Sequence, residues 1–204
     1  PDVRRMLLRQ KVTIEGCRAL AYFTGLHEDV AHDHEDPAVR EQADDLVQLL
    51  TPVVKAFLTD EGFNSANEGL QVLGGSGFTE DWGIEQLVRD SRITRIYEGT
   101  NGIQALDLVG RKLALGGGRA VRNYFALIEG WLKAHAEADH VMAVGGALKQ
   151  LQQATMWIAT EGMKDPEQAG AAATPYLRLF ALTSLAWMWA RMAAVAKSKL
   201  AEGS

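Results

Sequence analysis

Cysteine is almost absent from this chain, which has one among 204 residues. Cys17 has no second cysteine to pair with, so an internal disulfide and a disulfide-stabilised secreted domain are both excluded. This composition fits a reducing compartment, and we predict a cytoplasmic protein. The chain begins at Pro1 without an initiator methionine or a signal-peptide pattern, so we interpret it as part of a longer protein.

Long apolar runs and an excess of positive charge are also missing. The most apolar stretch, residues 179–190, lies between Arg178 and Arg191 and is too short for a bilayer, which needs about 20 residues. We therefore predict a buried helix there and no membrane partner. The formal net charge of −5 gives no general attraction to nucleic acid, so no nucleic-acid partner is expected.

Helical periodicity dominates what is present. Apolar residues between Val39 and Leu58 recur at spacings of three and four, which places them on one helix face, and Pro37 suits the first turn. A similar pattern covers residues 6–30, and the polar run at residues 27–36 is predicted to connect the two helices as an antiparallel hairpin. Further helices are predicted at about residues 84–89, 103–113, 121–134, 141–158 and 176–195, with loops at residues 97–100 and 161–174.

No stretch alternates as a strand would, so we predict an all-α fold. Its expected architecture is an up-and-down four-helix bundle followed by about three added helices. Three successive glycines at residues 116–118 interrupt the periodicity and favour a flexible connection. They are the predicted boundary between a domain of residues 1–115 and a helical extension of residues 119–204.

Two segments that could bind anions are weak signals when each is taken alone. Residues 71–78 read Gln-Val-Leu-Gly-Gly-Ser-Gly-Phe, and glycines beside a helix end can hold a phosphate through main-chain N–H groups. No strand precedes them, so a helix-terminating turn is the favoured interpretation. Arg89, Arg92 and Arg95 could meet an anionic ligand, but solvated or ion-paired side chains are favoured.

Carboxylates and histidines give no independent sign of a site. A lone glutamate such as Glu98 is usually solvated. His32 and His34 alternate with acidic residues, and histidines with carboxylates can bind zinc. Their spacing is more typical of an exposed polar loop, so no metal site is predicted.

Three motifs in a fixed order, however, resemble the signature near the end of acyl-CoA dehydrogenases. They are residues 71–78, Glu-Gln-Leu-Val-Arg-Asp-Ser-Arg-Ile at residues 85–93, and Ile-Tyr-Glu-Gly-Thr-Asn-Gly-Ile-Gln at residues 96–104. A looser resemblance extends over residues 1–113. The opening Pro-Asp-Val-Arg-Arg-Met-Leu-Leu and the segment at residues 173–180 resemble a longer bacterial branch of the family. That branch includes 3-methylmercaptopropionyl-CoA dehydrogenases and carries an extra helical region.

The resemblance implies a flavin-dependent oxidation of an acyl-CoA to the 2,3-enoyl-CoA. Glu98 matches the glutamate that removes the α-proton, and its main-chain N–H matches a donor to the thioester oxygen. The β-hydrogen is expected to leave as a hydride to FAD. Tyr97 is implied to line the acyl cavity, and Gly99 to permit the close approach of substrate.

The resemblance also implies cofactor contacts and partners. Gln71, Gly74 and Gly75 match positions near the adenine end of an FAD bound mainly by a neighbouring subunit. Thr100 and Asn101 match positions near the flavin pyrophosphate on the same chain. Shared sites of this kind imply a homo-oligomer, a dimer or a tetramer. The family's usual electron acceptor implies an electron-transfer flavoprotein as a partner beside the acyl-CoA substrate.

Other hypotheses stay open beside this one. The family's amino-terminal helical domain and middle β-domain are missing, so we expect this chain alone to be inactive. A non-catalytic helical assembly module is the second hypothesis, and the intact Tyr97-Glu98-Gly99-Thr100 motif argues against it. A relative linked to DNA-damage responses would need a basic surface, whereas residues 119–204 balance Lys and Arg with Asp and Glu. An oxidase is not distinguished from a dehydrogenase.

Overall fold

The fold is helical throughout the part of the chain that the structure describes. The computed structural model describes residues 1–137 and 140–203, and these residues contain no β-strand. They form seven α-helices: α1 (Asp2–Asp33), α2 (Pro37–Leu73), α3 (Ile84–Ile93), α4 (Asn101–Asp107), α5 (Arg119–Ala134), α6 (Val141–Thr160) and α7 (Pro166–Ala201). A π-helical turn, Leu108–Lys112, follows α4, and short 3-10 turns at Gly74–Phe78, Glu80–Trp82 and Gly162–Lys164 lie in the connections. The predicted all-α fold is confirmed.

Helix α2 begins where the sequence predicts and determines much of the fold. Asp36 accepts a hydrogen bond through Oδ1 from the main-chain N–H of Ala38 at 2.8 Å, which satisfies a donor that the first turn leaves free. Pro37 occupies the first turn, where its missing N–H costs nothing. The helix then runs for 37 residues and ends at Gly74, whose φ is 62°. This length lets one helix contact most of the others.

The connection between α1 and α2 is shorter than predicted. Helix α1 continues through residues 27–33, which the polar run had placed in the connection, and only residues 34–36 separate the two helices. Along this part of α1, Nδ1 of His27 lies 2.7 Å from the carbonyl oxygen of Phe23, one turn earlier. Polar residues here occupy the exposed side of a continuing helix, so their polarity did not mark its end.

Helix α7 also begins earlier than predicted. Residues 166–174 belong to this helix, although the sequence had suggested a loop at residues 161–174. Asp165 caps the new helix by accepting a hydrogen bond from the N–H of Glu167 at 3.0 Å, and Pro166 takes the first position. The segment is rich in alanine, which has the highest helix propensity, and Ala169 and Ala173 are buried.

One hydrophobic cluster extends across the predicted domain boundary. It includes Leu20, Leu50 and Val53 from the first hairpin together with Tyr124 and other residues of the extension, among them Phe180, Leu185, Trp187 and Met188. The apolar stretch at residues 179–190 is therefore a buried helix segment, as predicted. By length and composition α7 could also cross a membrane, but 44% of its most apolar window is buried in this fold. One such helix among the described residues is weak evidence, because core helices have the same composition.

Ion pairs join the extension to buried carboxylates of α2. Arg119 donates to Asp45 at 2.7 and 3.1 Å, immediately after Gly116, Gly117 and Gly118, whose φ values are 58°, 64° and 83°. Glycine tolerates this left-handed backbone at little cost, which lets the chain turn there. A boundary at these glycines stays a prediction.

A second ion pair couples α7 to α2. Arg178 donates to the buried Glu61 at 2.9 Å, and its guanidinium lies 5.7 Å from the ring centre of Phe57. A buried carboxylate without a partner would be costly, so these arginines allow acidic groups in the interior.

Helices α1 and α7 pack tightly at Gly16, and this contact generates a stability prediction. A Cβ atom at Gly16 would lie 2.8 Å from Nε1 of Trp189 and 3.2 Å from Cγ of Leu185. Trp189 Nε1 also donates to the carbonyl oxygen of Val12 at 3.0 Å. We expect Gly16→Val to displace Trp189, break this bond and lower the free energy of unfolding in urea by about 1–3 kcal/mol.

Gly25 provides the matched control on the same helix. No protein atom lies within 4 Å of a Cβ built at Gly25, so Gly25→Val should change the free energy of unfolding by less than about 0.5 kcal/mol. Equal effects of the two substitutions would contradict the packing of α7 against α1.

Candidate active site

The glycine-rich segment closes the C-terminal end of α2 and leaves part of its main chain open. Gly77 is buried, and a Cβ atom there would lie 2.6 Å from the carbonyl oxygen of Leu70 and 2.9 Å from Cβ of Leu73. Gly74 and Gly75 are exposed, and a Cβ at either would meet no protein atom within 4 Å. One glycine is thus required for packing, while the other two present a backbone that a ligand can approach closely.

A left-handed turn carries the predicted base. Glu98 has a φ of 54° and is the only residue other than glycine with a positive φ among residues 1–137 and 140–203. Gly99 follows with a φ of 81°. A left-handed conformation costs a non-glycine residue about 1 kcal/mol or more, and such strain is found most often at functional sites. The turn therefore needs contacts elsewhere to hold it.

Two side chains hold the carbonyl groups of this turn. Gln104 donates through Nε2 to the carbonyl oxygen of Glu98 at 3.2 Å. Lys55, on α2, donates through Nζ to the carbonyl oxygen of Gly99 at 2.7 Å. A Cβ atom at Gly99 would lie 2.9 Å from Nε2 of Gln104, so glycine is needed for this amide to fit.

The Asn101 side chain attaches the turn to α2. Its Oδ1 accepts a hydrogen bond from Lys55 Nζ at 2.8 Å. Its Nδ2 donates to the carbonyl oxygen of Ala56 at 3.0 Å and to Oδ1 of Asp60 at 2.9 Å. Both the oxygen and the nitrogen of the Asn101 amide thus make hydrogen bonds within the protein. The predicted contact of Asn101 with a flavin pyrophosphate stays a prediction, and its side chain faces α2 in this structure.

Arg95 completes the network below the turn. Its Nε donates to Asp60 Oδ1, and its carbonyl oxygen accepts a hydrogen bond from the N–H of Asn101 at 3.2 Å. The guanidinium also lies 5.3 Å from the ring centre of Phe63, while that of Arg92 lies 6.0 Å from the same ring. Arg95 is therefore an ion-paired residue that supports the turn, which is the interpretation that sequence favoured.

The other groups at the turn that are expected to contact ligands make no hydrogen bonds within the described part of the protein. The side chains of Tyr97, Glu98 and Thr100 are exposed and make no hydrogen bond with any described residue. The main-chain N–H of Glu98 likewise has no acceptor within the described ranges. Large apolar side chains at the end of the glycine-rich segment and just after it are exposed as well, with Phe78 at 77% and Trp82 at 63%. A surface of this kind indicates that other protein or a ligand covers it.

The predicted site residues form two groups on α2. The turn at Glu98 is attached near Lys55 and Asp60, whereas Gln71 and Gly75 lie at the C-terminal end of the helix. The 11 residues from Asp60 to Gln71 correspond to about 16 Å along the helix axis. The residues predicted to contact adenine and those predicted to contact the flavin pyrophosphate therefore do not touch one another in this chain.

Sequence patterns did not indicate Lys55, Asp60 or Gln104 as part of the site. Lys55 is 44 residues from Gly99, and Asp60 is 41 residues from Asn101. No local spacing reveals such a pairing, because it depends on how α4 packs on α2. Gln104 ends the third motif, and its donation to Glu98 O gives that motif position a structural role.

A separate cavity of about 570 Å³ lies between α5 and α6 and contains none of the predicted site residues. Its lining is mostly apolar, as at Val121. Polar side chains of the lining bond within the protein, Arg122 to the carbonyl oxygen of Gly117 at 2.8 Å, and Gln152 to Glu129 and Thr155 to Tyr176 each at 2.7 Å. Nothing in its lining favours a particular ligand, so the chemistry is better placed at the exposed turn.

Two protein-family models match segments of the chain. The family model for the acyl-CoA dehydrogenase C-terminal domain matches residues 1–113, and the model described as acetyl-CoA dehydrogenase C-terminal like matches residues 124–204. The chain therefore belongs to the acyl-CoA dehydrogenase family and corresponds to its C-terminal region. The resemblance stated from the three motifs is confirmed.

Similar curated proteins include two bacterial dehydrogenases. The 3-methylmercaptopropionyl-CoA dehydrogenase of Ruegeria pomeroyi is 40% identical over 100% of this chain and 35% of its own length. A butyryl-CoA dehydrogenase of Syntrophomonas wolfei is 35% identical over 98% of this chain and 33% of its own length. The chain thus spans about a third of the relatives that it matches.

Solved structures show the same fold at lower identity. Caenorhabditis elegans ACDH-11, determined in complex with C11-CoA, superposes with a TM-score of 0.71 at 23% identity, over 91% of this chain and 32% of that chain. The apo form of Bd2924 superposes with a TM-score of 0.67 at 24% identity, over 93% of this chain and 32% of that chain. These likenesses concern the fold alone.

The contrast between Gly77 and Gly75 generates a testable prediction. Gly77→Ala places a methyl group against the main chain of α2, which cannot rotate away, and should lower the free energy of unfolding by about 1–3 kcal/mol. Gly75→Ala, two residues earlier in open space, should change it by less than about 0.5 kcal/mol. Chemical denaturation of both variants measures this difference. A Gly77→Ala variant as stable as Gly75→Ala would show that the segment is packed differently.

Proposed function

We propose that this chain is the C-terminal part of an FAD-dependent acyl-CoA dehydrogenase that oxidises an acyl-CoA to the 2,3-enoyl-CoA, with Glu98 as the base. The observation that carries this proposal is the left-handed turn at Glu98. The turn exposes both the carboxylate and the main-chain N–H of the same residue, and neither is bonded to the described protein. A strained residue with two unused functional groups suits contact with a substrate.

The chemistry follows from these two groups. The α-proton of a thioester is weakly acidic, and the Glu98 carboxylate removes it as a general base. Negative charge then develops on the thioester oxygen, where the Glu98 N–H donates a hydrogen bond and stabilises it, as in an oxyanion hole. The flavin, when bound, accepts the β-hydrogen as a hydride. The base and the hydrogen-bond donor belong to the same residue, so the conformation of the turn positions both groups together.

The residues at the end of α2 fit an approach by the cofactor. Gly74 and Gly75 leave their main chain open, and Gln71 is exposed one turn earlier. We propose that they contact the adenine end of an FAD held mainly by a neighbouring subunit, while Thr100 contacts the pyrophosphate on its own chain. A cofactor shared between subunits in this way requires a homo-oligomer, which is part of the proposal.

The exposed face of α1 is consistent with such assembly. Its apolar side chains include Leu8 (54% exposed), Val12 (49%), Tyr22 (68%) and Leu26 (59%). Exposed apolar surface of this extent usually marks contact with another protein surface. An electron-transfer flavoprotein as electron acceptor, and a cytoplasmic location, belong to the same proposal.

Substrate identity is best approached through the relatives. The two bacterial proteins are named for 3-methylmercaptopropionyl-CoA and butyryl-CoA, which are both short acyl thioesters. We propose a short-chain or medium-chain acyl-CoA for this protein. Thioesters of different chain length, including these two, form the panel that tests it.

The role of Glu98 is tested by Glu98→Gln in the full-length flavoprotein. The amide cannot accept the α-proton, so anaerobic bleaching of the flavin by acyl-CoA should slow by at least about 10²-fold while the flavin stays bound. Flavin absorbance after mixing with each thioester measures the rate. Glu167→Gln, an exposed glutamate of α7, is the control and should bleach like wild type. Equal rates for wild type and Glu98→Gln would reject Glu98 as the base.

The 204-residue chain by itself is expected to be inactive. Its two cofactor groups lie apart on α2, and the surface around Phe78 and Trp82 is exposed, so a closed, dry substrate site is not formed by this segment. Purified chain supplied with FAD, an acyl-CoA and an artificial electron acceptor should show no turnover. Measurable oxidation would overturn the view that other domains complete the site.

A further inference from the structure

We propose that Lys55 is a positioning residue for catalysis, which fixes the turn that carries Glu98 from beneath. The proposal rests on the proposed function, because it assumes that Glu98 reacts with substrate. Lys55 belongs to none of the three family motifs. It lies on α2 and contacts the turn from that helix.

The contacts of Lys55 are directed to the turn. Its Nζ donates to the carbonyl oxygen of Gly99 at 2.7 Å and to Oδ1 of Asn101 at 2.8 Å. No carboxylate lies within ion-pair distance of this ammonium in the described chain, whereas the arginines around it are paired, as Arg95 is with Asp60. The charge of Lys55 is thus applied to two neutral oxygens, and hydrogen bonds from a charged donor are stronger than neutral ones.

These bonds act on the backbone that aims Glu98. The carbonyl of Glu98 lies in the peptide that joins Glu98 to Gly99. The carbonyl of Gly99 lies in the next peptide, which joins Gly99 to Thr100. Lys55 holds the Gly99 carbonyl, and Gln104 holds the Glu98 carbonyl at 3.2 Å. With both peptide planes fixed, the φ of 81° at Gly99 is retained, and the peptide that follows the left-handed Glu98 is held against rotation.

Loss of the Lys55 hydrogen bonds should therefore misplace the Glu98 carboxylate without unfolding the domain. Lys55 is not among the residues of the hydrophobic core, to which α2 contributes Val53 and Phe57. Rotation of the Gly99 peptide would shift the Glu98 carboxylate and its N–H together. Displacements of about 1 Å at a reacting group can cost about 10²-fold in rate.

The test uses the full-length flavoprotein and Lys55→Met, which keeps the apolar stem and removes the donor. We expect the limiting rate constant of anaerobic flavin reduction to fall by about tenfold or more, while the dissociation constant of acyl-CoA and the flavin content stay within about threefold of wild type. Lys55→Arg keeps a charged donor and should lie between wild type and Lys55→Met. Lys149→Met, at an exposed position of α6, is the matched control and should behave like wild type.

The outcomes separate this inference from the proposed function. If Glu98→Gln loses activity and Lys55→Met reduces the flavin within about twofold of the wild-type rate, Lys55 is not a positioning residue and the role of Glu98 stands. If Lys55→Met loses rate only in proportion to lost flavin or weaker substrate binding, its role is structural and the inference is overturned. A slow Lys55→Met beside a fast Glu98→Gln would overturn both. If Lys55→Met does not retain flavin on purification, Lys55→Gln, too short to reach both oxygens, is judged by the same criteria.

Discussion

The strained turn at Glu98 and Gly99 is the constraint on which the candidate site depends. A left-handed glutamate is costly, so the turn persists only because side chains from α2 and α4 hold its carbonyl groups. Asn101 attaches the start of α4 to α2 through hydrogen bonds with Lys55, Ala56 and Asp60, and Lys55 joins Asn101 to Gly99. The direction of Glu98, the proposed base, is therefore set by a helix that begins more than 60 residues earlier in the chain.

The rigidity of α2 rests in turn on its buried surroundings. Leu49, Leu50 and Val53 are fully buried, and the carboxylates of Asp45 and Glu61 are matched by Arg119 and Arg178 from the extension. The added helices thus pack on α2 beside α1 and neutralise its buried charges. An extension that packs in this way supports the platform beneath the turn, even though it supplies none of the predicted site residues.

Much of the fold could be predicted because helix formation is largely local. The all-α class, the start of α2 at Pro37 and the buried stretch of α7 follow from periodicity and capping, and the structure confirms them. Helix ends were less certain. Polarity placed the end of α1 too early, and the alanine-rich residues 166–174 were taken for a loop, because neither signal reports whether a neighbouring helix will pack on that face.

The sequence by itself determined the family and singled out Glu98 as the proposed base, because three motifs in fixed order are a linear property of the chain. Only the tertiary structure decided how that residue is held. Lys55, Asp60 and Asn101 are distant along the chain and meet through helix packing, and the left-handed φ of Glu98 is stable only within those contacts. The side chain of Asn101, which the motif suggested for the cofactor, faces α2 because its amide satisfies buried hydrogen-bonding groups there.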